Sequence, residues 1–551
     1  MNKPIEVMRL LAIQMNPTIA DIKGNTLKII NGIQKAKNEN CQLVFFPELA
    51  LTGYPPEDFL LLPEFIKAVD IALQSIIEAT EGITAIVGTI RKNEIGKEKP
   101  LFNSAAVITN QKLIGYQDKS LLPTYDVFDE RRYFEPARET KIWNINQHRV
   151  AITICEDLWQ QSMALKNEVY ATDPLQAFEG KQVDFLLNLS ASPFHLGKFY
   201  DRLKVCSRAA KTLHCPVILN NQVGGNDSLI FDGQSLYISS QGLLLGIAKR
   251  FNEDQLLVDL QQPSSSISYH PDEMADLYHA LVLGVRDYFK KSGFTQACLG
   301  LSGGIDSAIV ACIAAEALGP ENVLAVLMPS RFSSKGSIED ASLLAHNLKI
   351  KIRYIPIEGP FSAYLELLEP HFKDKPYDTT EENIQARIRG MILMALSNKL
   401  YYIVLSTGNK SELAMGYSTL YGDTCGGLGV INDVSKTQIY ALAKWINREK
   451  EIIPQNTIDK PPSAELRPNQ KDSDTLPDYA IIDTVLKEYL ENYSSSQEIS
   501  KKHGYDLELV ENLITKIHCN EYKRRQSPPG LRVTEKAFSV GRRFPIVQKW
   551  V

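Results

Sequence analysis

Short apolar runs bounded by polar residues recur through the first half of the chain, at 10–13, 43–46, 85–87, 105–108, 150–154, 185–189, 217–219 and 236–238. Runs of this length predict buried strands rather than helices. Between some of them the apolar positions return with helical spacing, over 25–36 and 63–79, and each predicts a helix with one buried face. Strands and helices mixed in this way argue for α/β layering rather than a bundle.

The pattern then becomes regular. Strands are predicted at 299–301, 323–328, 352–357 and 402–405, with helices between them at 308–318, 337–348 and 383–397. Such alternation predicts a doubly wound parallel sheet whose ligands sit at the carboxyl ends of its strands. Between the halves, Gln261-Gln262-Pro263-Ser264-Ser265-Ser266 has linker composition. The chain is therefore divided into a domain at 1–262, a linker at 263–272 and a domain at 273–551. A helical extension is expected after Pro461-Pro462, and no repeat of solenoid length is present.

Length and composition narrow the picture. At 551 residues the chain exceeds one ordinary domain, and 44% hydrophobic with 23% charged residues is a globular balance. A net charge of −5, with a pI near 6.1 and mean hydropathy −0.17, argues against coating nucleic acid or an anionic membrane. Only the segment from Cys519 to Val551 is basic, with eight Lys/Arg against two acids. No apolar window is long enough to span a bilayer, and Arg9 and Gln14 interrupt the only N-terminal stretch that could mimic a signal. A cytoplasmic location is expected. The eight cysteines show no C-x-x-C pairing and suggest free thiols.

Candidate chemistry begins at Ser302-Gly303-Gly304-Ile305-Asp306-Ser307, which follows a strand and opens a helix. Glycines and hydroxyls at a helix start form an anion cradle from backbone N–H groups and the helix dipole. No G-x-x-x-x-G-K-[ST] motif occurs anywhere in the chain, so transfer of a γ-phosphate is disfavoured. The pattern S-G-G-x-D-S resembles that of the ATP pyrophosphatases, which cleave ATP between the α and β phosphates and leave AMP on a substrate.

A second constellation lies upstream. Glu48 follows the strand ending Phe45-Phe46, Lys119 follows Asp118, and Cys155 ends the strand in Thr153-Ile154-Cys155-Glu156-Asp157. A cysteine attacking a carbonyl needs a base for its proton and a cation or N–H donor for the oxyanion. Glu, Lys and Cys supply those roles, although spacing alone does not join residues so far apart. The segments P-E-L-x-L-T-G-Y (47–54), D-K and T-I-C-E-D are similar to the nitrilase superfamily. That resemblance implies a four-layer αββα sandwich, with Glu48 as general base, Lys119 at the oxyanion, Cys155 as nucleophile and Glu130 as a second carboxylate. It further implies that Tyr125, Glu156, Ser192 and Lys198 bind glutamine.

The second half resembles the NAD synthetase family. The resemblance is carried by E-N-I-Q-A-R at 382–387, S-T-G-N-K-S-E at 406–412, Y-G-D at 421–423, Lys436, P-P-S-A-E-L-R-P at 461–468 and E-Y-K-R-R at 521–525. Cys425 stands where a small apolar residue is expected. Arg387 and Arg389, two apart on a helix, cannot share a face. The family reading implies that Gly300, Leu301, Ser302, Gly303, Gly304, Ile305, Asp306, Ser307 and Thr407 hold ATP. Asp306 and Glu412 would bind Mg²⁺, and Asn383, Glu412, Asp423 and Lys523 deamido-NAD. Mg²⁺ suits such a site because it is a hard ion that prefers carboxylate and phosphate oxygens.

Together these resemblances imply a glutamine-hydrolysing synthesis of NAD from deamido-NAD and ATP, with ammonia passing internally between two sites and a homo-oligomer built through the synthetase domain. Another amidotransferase of the pyrophosphatase class, such as a GMP synthetase, is disfavoured because its glutaminase uses a Cys-His-Glu triad. A non-catalytic dinucleotide-binding regulator is disfavoured by the intact Glu48, Lys119, Cys155 and Asp306.

Overall fold

The computed structural model describes residues 8–94, 98–160, 170–261, 265–373 and 375–550. The chain divides into two compact units, one holding residues up to 226 with 230–271, the other 227–229 with 272 onward. Residues 263 and 264, at the start of the expected linker, lie outside the described residues.

The first unit is built on two six-stranded sheets. One has the order Asp254–Asp259, Arg9–Gln14, Leu43–Phe45, Thr84–Lys92, Leu101–Thr109, Lys112–Asp118. The other runs Ile142–Ile145, His148–Ile154, Phe185–Ser190, Val217–Asn221, Leu236–Ile238, Leu244–Ile247. Read in these directions, both sheets pair antiparallel, parallel, parallel, antiparallel, antiparallel. The two halves of the sandwich thus share a plan that no sequence repeat betrays.

Alternation places every second strand residue on the face between the sheets. Leu10, Ala12, Leu43, Phe45, Ala105 and Val107 of one sheet meet Val150, Ile152, Ile154, Phe185, Leu187 and Leu189 of the other in one core. The intervening residues face helices. Ala151, Leu186, Val217 and Leu219 pack on helix Lys198–Leu213, while helices Ile22–Asn38 and Pro63–Ala79 cover the other sheet. The result is a four-layer αββα sandwich. Helix Pro63–Ala79 forms as its pattern dictates: proline and Glu64 sit in its first turn, and Phe65, Ile66, Val69, Leu73, Ile76 and Ile77 line its buried face.

The second unit carries a five-stranded parallel sheet in the order Lys351–Tyr354, Val323–Leu327, Ala297–Gly300, Ile403–Ser406, Leu428–Gly429. Helix Ile305–Leu318, buried almost all round, lies on one face. Helices Glu358–Phe372 and Thr379–Leu400 cover the other through Phe361, Ile384, Ile388 and Leu393. Strand order reverses between Ala297–Gly300 and Ile403–Ser406, which opens a crevice at their carboxyl ends. Helices Tyr479–Leu486, Ser496–His503 and Leu507–Cys519 form a separate apolar cluster behind it. Among the described residues no helix is long and apolar enough to cross a membrane.

Candidate active sites

In the first unit, three strand ends converge. Glu48 lies just past Leu43–Phe45, Lys119 just past Lys112–Asp118, and Cys155 just past His148–Ile154. The first two strands belong to one sheet and the third to the other, so the cluster sits where the sheets meet. Lys119 Nζ donates to Glu48 Oε1 at 2.6 Å and to Glu130 Oε1 at 2.7 Å. Tyr54 donates to Glu130 at 2.8 Å, and Glu48 receives the Asn103 amide at 2.7 Å and the Ala191 N–H at 3.0 Å. All of these side chains are buried.

Burial and the charges present set the protonation states. Desolvation pushes the Cys155 thiol well up and Glu48 adds to the shift, while Lys119 opposes it. At rest Cys155 is therefore a thiol rather than a thiolate. Desolvation works against the Lys119 ammonium, but Glu130 and Glu48 outweigh it and the net shift is upward. Burial raises Glu130 to about 7 against the pull of Lys119. Cys155 itself has φ 41°, in the left-handed region, a conformation that non-glycine residues hold only when their surroundings enforce it. Asp157 supplies the enforcement by accepting Ile154 N–H at 2.9 Å, Ser120 N–H at 3.0 Å and Leu121 N–H at 2.9 Å. It thereby fastens the cysteine turn to the lysine loop.

Of the glutamine candidates, Tyr125, Glu156 and Lys198 lie near the same thiol. Glu156 accepts hydrogen bonds from Tyr125 and Tyr170, each at 2.9 Å, and burial raises its carboxyl. Lys198 opens its helix behind Gly197, whose φ of 85° turns the chain into it, and its ammonium stands 4.0 Å from the centre of the Trp159 ring. Burial first, then Arg202, lowers Lys198. Ser192 is buried and its N–H donates to Asn221 at 2.9 Å. Asn103, Asp157, Tyr170 and Trp159 were not singled out from sequence. Asp157 lies inside the T-I-C-E-D segment, and Asn103 signals itself as a polar residue inside an apolar strand.

In the second unit the crevice holds a cavity of about 320 Å³. Its walls include Gly300, Leu301, Ser302, Gly304, Ile305, Asp306, Thr407, Glu412 and Asp423. Gly303 has φ +83°, and a Cβ there would stand 2.2 Å from Ser337 O, so only glycine fits. Ser302 Oγ accepts the Gly304 N–H at 3.1 Å and meets Ser307 Oγ at 3.1 Å. Lys436 Nζ donates to Asp306 Oδ2 at 2.6 Å and Glu412 Oε1 at 3.1 Å, and the Asn409 amide donates to Asp306 Oδ1 at 2.8 Å. Lys436, at a helix start where an exposed lysine is ordinary, is 2% exposed. Burial raises Glu412 to about 8 despite Lys436, with Asp306 and Asp472 adding to the shift.

That last shift bears on Mg²⁺. Asp306, Glu412 and Asp472 all lie near the Lys436 ammonium, and among the described residues Asp472 Oδ1 is buried without a hydrogen-bond partner. A divalent cation fits such an excess of negative charge. Among the described residues no three His, Cys, Asp or Glu side chains are grouped so as to hold a metal ion by themselves.

The other candidates sort by position. Asp423 lines the cavity, accepts the Thr419 N–H at 2.6 Å, and burial raises it to about 6. Asn383 and Lys523 are not among the residues that line it. They brace its wall: Asn383 accepts from Thr419 Oγ1 at 2.6 Å, and Lys523 Nζ donates to Gly416 O at 2.7 Å and Ser418 O at 2.8 Å. Arg389 enters the cavity, donating to Met328 O at 3.0 Å, whereas Arg387 turns outward to Leu420 O at 3.2 Å. Cys425 also lines the cavity.

Residues 9–266 match the carbon-nitrogen hydrolase family and residues 277–527 the NAD synthase family. The chain is 45% identical over 545 residues to the glutamine-dependent NAD(+) synthetase of Synechocystis, covering 97% of this chain and 98% of that one. It is 41% identical to the Thermotoga maritima enzyme of the same name, with 98% and 99% covered. A solved glutamine-dependent NAD+ synthetase from Acinetobacter baumannii, in complex with ADP, superimposes with TM-score 0.76 at 37% identity over 99% of each chain. The chain belongs to the glutamine-dependent NAD(+) synthetases.

Proposed function

We propose that the 1–262 domain releases ammonia from glutamine and that the 273–551 domain, beyond a 263–272 linker, uses it to amidate deamido-NAD at the expense of ATP. One shared feature carries this reading: each unit holds a buried lysine that bridges two carboxylates at the carboxyl ends of its strands.

In the glutaminase site, Tyr125, Glu156, Ser192 and Lys198 bind glutamine. Cys155 Sγ attacks the side-chain amide carbon while Glu48 takes the thiol proton, and Lys119 faces the oxyanion. Glu48 returns that proton to the departing nitrogen, so ammonia leaves and a thioester remains. Water, deprotonated by Glu48, then attacks the thioester carbon; the C–S bond breaks to release glutamate, and Glu48 returns the proton to the Cys155 sulfur. Glu130 holds the second lobe of the Lys119 ammonium and keeps it aimed.

In the synthetase site, Ser302 to Ser307 cradle the phosphates together with Gly300, Leu301 and Thr407, while Asn383, Glu412, Asp423 and Lys523 form the deamido-NAD side. Asp306 and Glu412 would hold Mg²⁺, which neutralises phosphate charge when bound. The nicotinate carboxylate attacks the α-phosphorus and expels pyrophosphate. Ammonia then attacks the resulting acyl adenylate and AMP departs. Ammonia is nucleophilic only when unprotonated, which favours internal passage from the first site to the second.

Exposed Tyr354, Tyr364, Leu367 and Met391 on the sheet edge and covering helices support a homo-oligomer through the synthetase unit. A cytoplasmic location accords with the use of ATP and glutamine. The test is incubation with deamido-NAD, ATP, Mg²⁺ and glutamine: NAD and AMP are expected in equal amounts, and folded protein forming neither would overturn the reading.

A further inference from the structure

Beside the 320 Å³ cavity lies a second of about 10 Å³, bounded by Ser406, Gly408, Glu412, Ser418, Asp423 and Asn432 among others. It shares Ser406, Glu412 and Asp423 with the larger one. The volume suits a single molecule the size of water. Its lining sets hydroxyl and carboxylate acceptors beside Leu413 and Pro528. Ser418 Oγ is buried with no hydrogen-bond partner, and Ser406 Oγ spends its hydrogen on Asp423 O at 3.0 Å, which leaves its lone pairs free to accept. The wall is stiff. Asn432 is wedged between Gly429 and Gly530, where added Cβ atoms would come within 2.1 Å and 2.5 Å of it, and its amide donates to Pro528 O at 3.3 Å.

We propose that this small cavity is the ammonia-binding site of the synthetase reaction, with Ser418 as the hydroxyl that holds the nucleophile. The assignment rests on the synthesis described above and places its nitrogen substrate. Ammonia carries three N–H donors and one lone pair. Acceptors around it hold the donors and leave the lone pair directed into the shared mouth of the two cavities, where the acyl adenylate forms. The lone pair makes the C–N bond, the C–O bond to the adenylyl group breaks with its electrons on AMP, and the proton shed by nitrogen passes to the Asp423 carboxylate.

Ser418→Ala removes the hydroxyl, and Ser418→Val also fills the space. Both are assayed with ammonium chloride in place of glutamine, alongside ATP–pyrophosphate exchange in the presence of deamido-NAD. Loss of one hydrogen bond corresponds to about a tenfold rise in KM for ammonium for Ser418→Ala, with a larger rise for Ser418→Val. KM for ATP and deamido-NAD and the exchange rate should stay within about twofold. An unchanged KM for ammonium in either folded variant overturns the proposal and leaves the cavity to a structural water. A parallel rise in KM for deamido-NAD also overturns it, in favour of acceptor binding. Absence of exchange in the unmodified enzyme would instead reject the synthetase reading itself.

Discussion

Lys436 and Asp306, 130 residues apart in sequence, meet at 2.6 Å, and the same buried ammonium reaches Glu412 at 3.1 Å. Among the described residues Lys436 is the cation that pairs with both carboxylates, so its removal leaves them side by side without a counter-charge. Lys436→Met should abolish ATP–pyrophosphate exchange. It should also destabilise the synthetase unit by about 3 kcal/mol, the range seen when one partner of a buried ion pair is deleted. Millimolar Mg²⁺ should raise the Tm of the variant more than that of the parent, because the ion then replaces the missing charge. Equal Mg²⁺ responses would separate the metal from Asp306 and Glu412.

The thiol of Cys155 is small and its turn is held by Asp157, so the fold loses little when sulfur is removed. Cys155→Ala should keep a normal Tm and normal NAD synthesis from ammonium salts, while glutamine-driven synthesis falls by at least about 10³-fold, the scale of losing a nucleophile. Loss of both activities would mean that the cysteine turn supports the synthetase reaction as well.

How much of this was legible in the sequence depends on where each signal resides. Helix Pro63–Ala79 was readable to its ends because proline and an apolar face are local features. Strands Lys112–Asp118 and Ile142–Ile145 were not, since both pair at sheet edges and the first exposes Leu113 and Ile114. Helix Glu273–Ser292 is not legible in the sequence, although Asp272 caps its start and Gly293 ends it in the left-handed region. Its apolar positions were too mixed to outweigh the linker before it. At the sites, local motifs named Cys155 and Asp306, and resemblance joined them to distant partners. Asn103, Asp157 and Asp472 escaped because their work is tertiary: each is a polar side chain whose role appears only when another strand or loop is brought against it.

Gly303 offers a test of the proposed phosphate loop. At φ +83°, with Ser337 O 2.2 Å from the position of a Cβ, alanine must displace either the loop or the start of helix Lys335–Leu348. Gly303→Ala should raise KM for ATP by at least about tenfold, since strain of about 1–3 kcal/mol falls on the loop. Hydrolysis of glutamine to glutamate, measured without ATP, should be unchanged. A normal KM for ATP would remove this loop from phosphate binding.

Glu488 gives a pH-dependent prediction away from both sites. Lys502 donates to it at 2.6 Å and His503 stands 3.1 Å away. The Lys502 hydrogen bond, opposed by burial and aided by His503 and Asn492, lowers its carboxyl from 4.5 to about 2. A carboxyl whose pKa is lower in the folded state contributes stability that is complete above the unfolded value and lost as pH falls through the folded one. The window therefore runs from about pH 4.5 down to about pH 2. Lys502 is 61% exposed, so solvent screening reduces the contribution at neutral pH to about 1 kcal/mol. Glu488→Gln should lower the Tm by a few degrees at pH 7, and the gap should narrow steadily below pH 4.5. High salt should narrow it too, because the partner lysine is open to solvent. A gap independent of both pH and salt would mean that Glu488 acts through the Asn492 and Ser494 hydrogen bonds rather than through its charge.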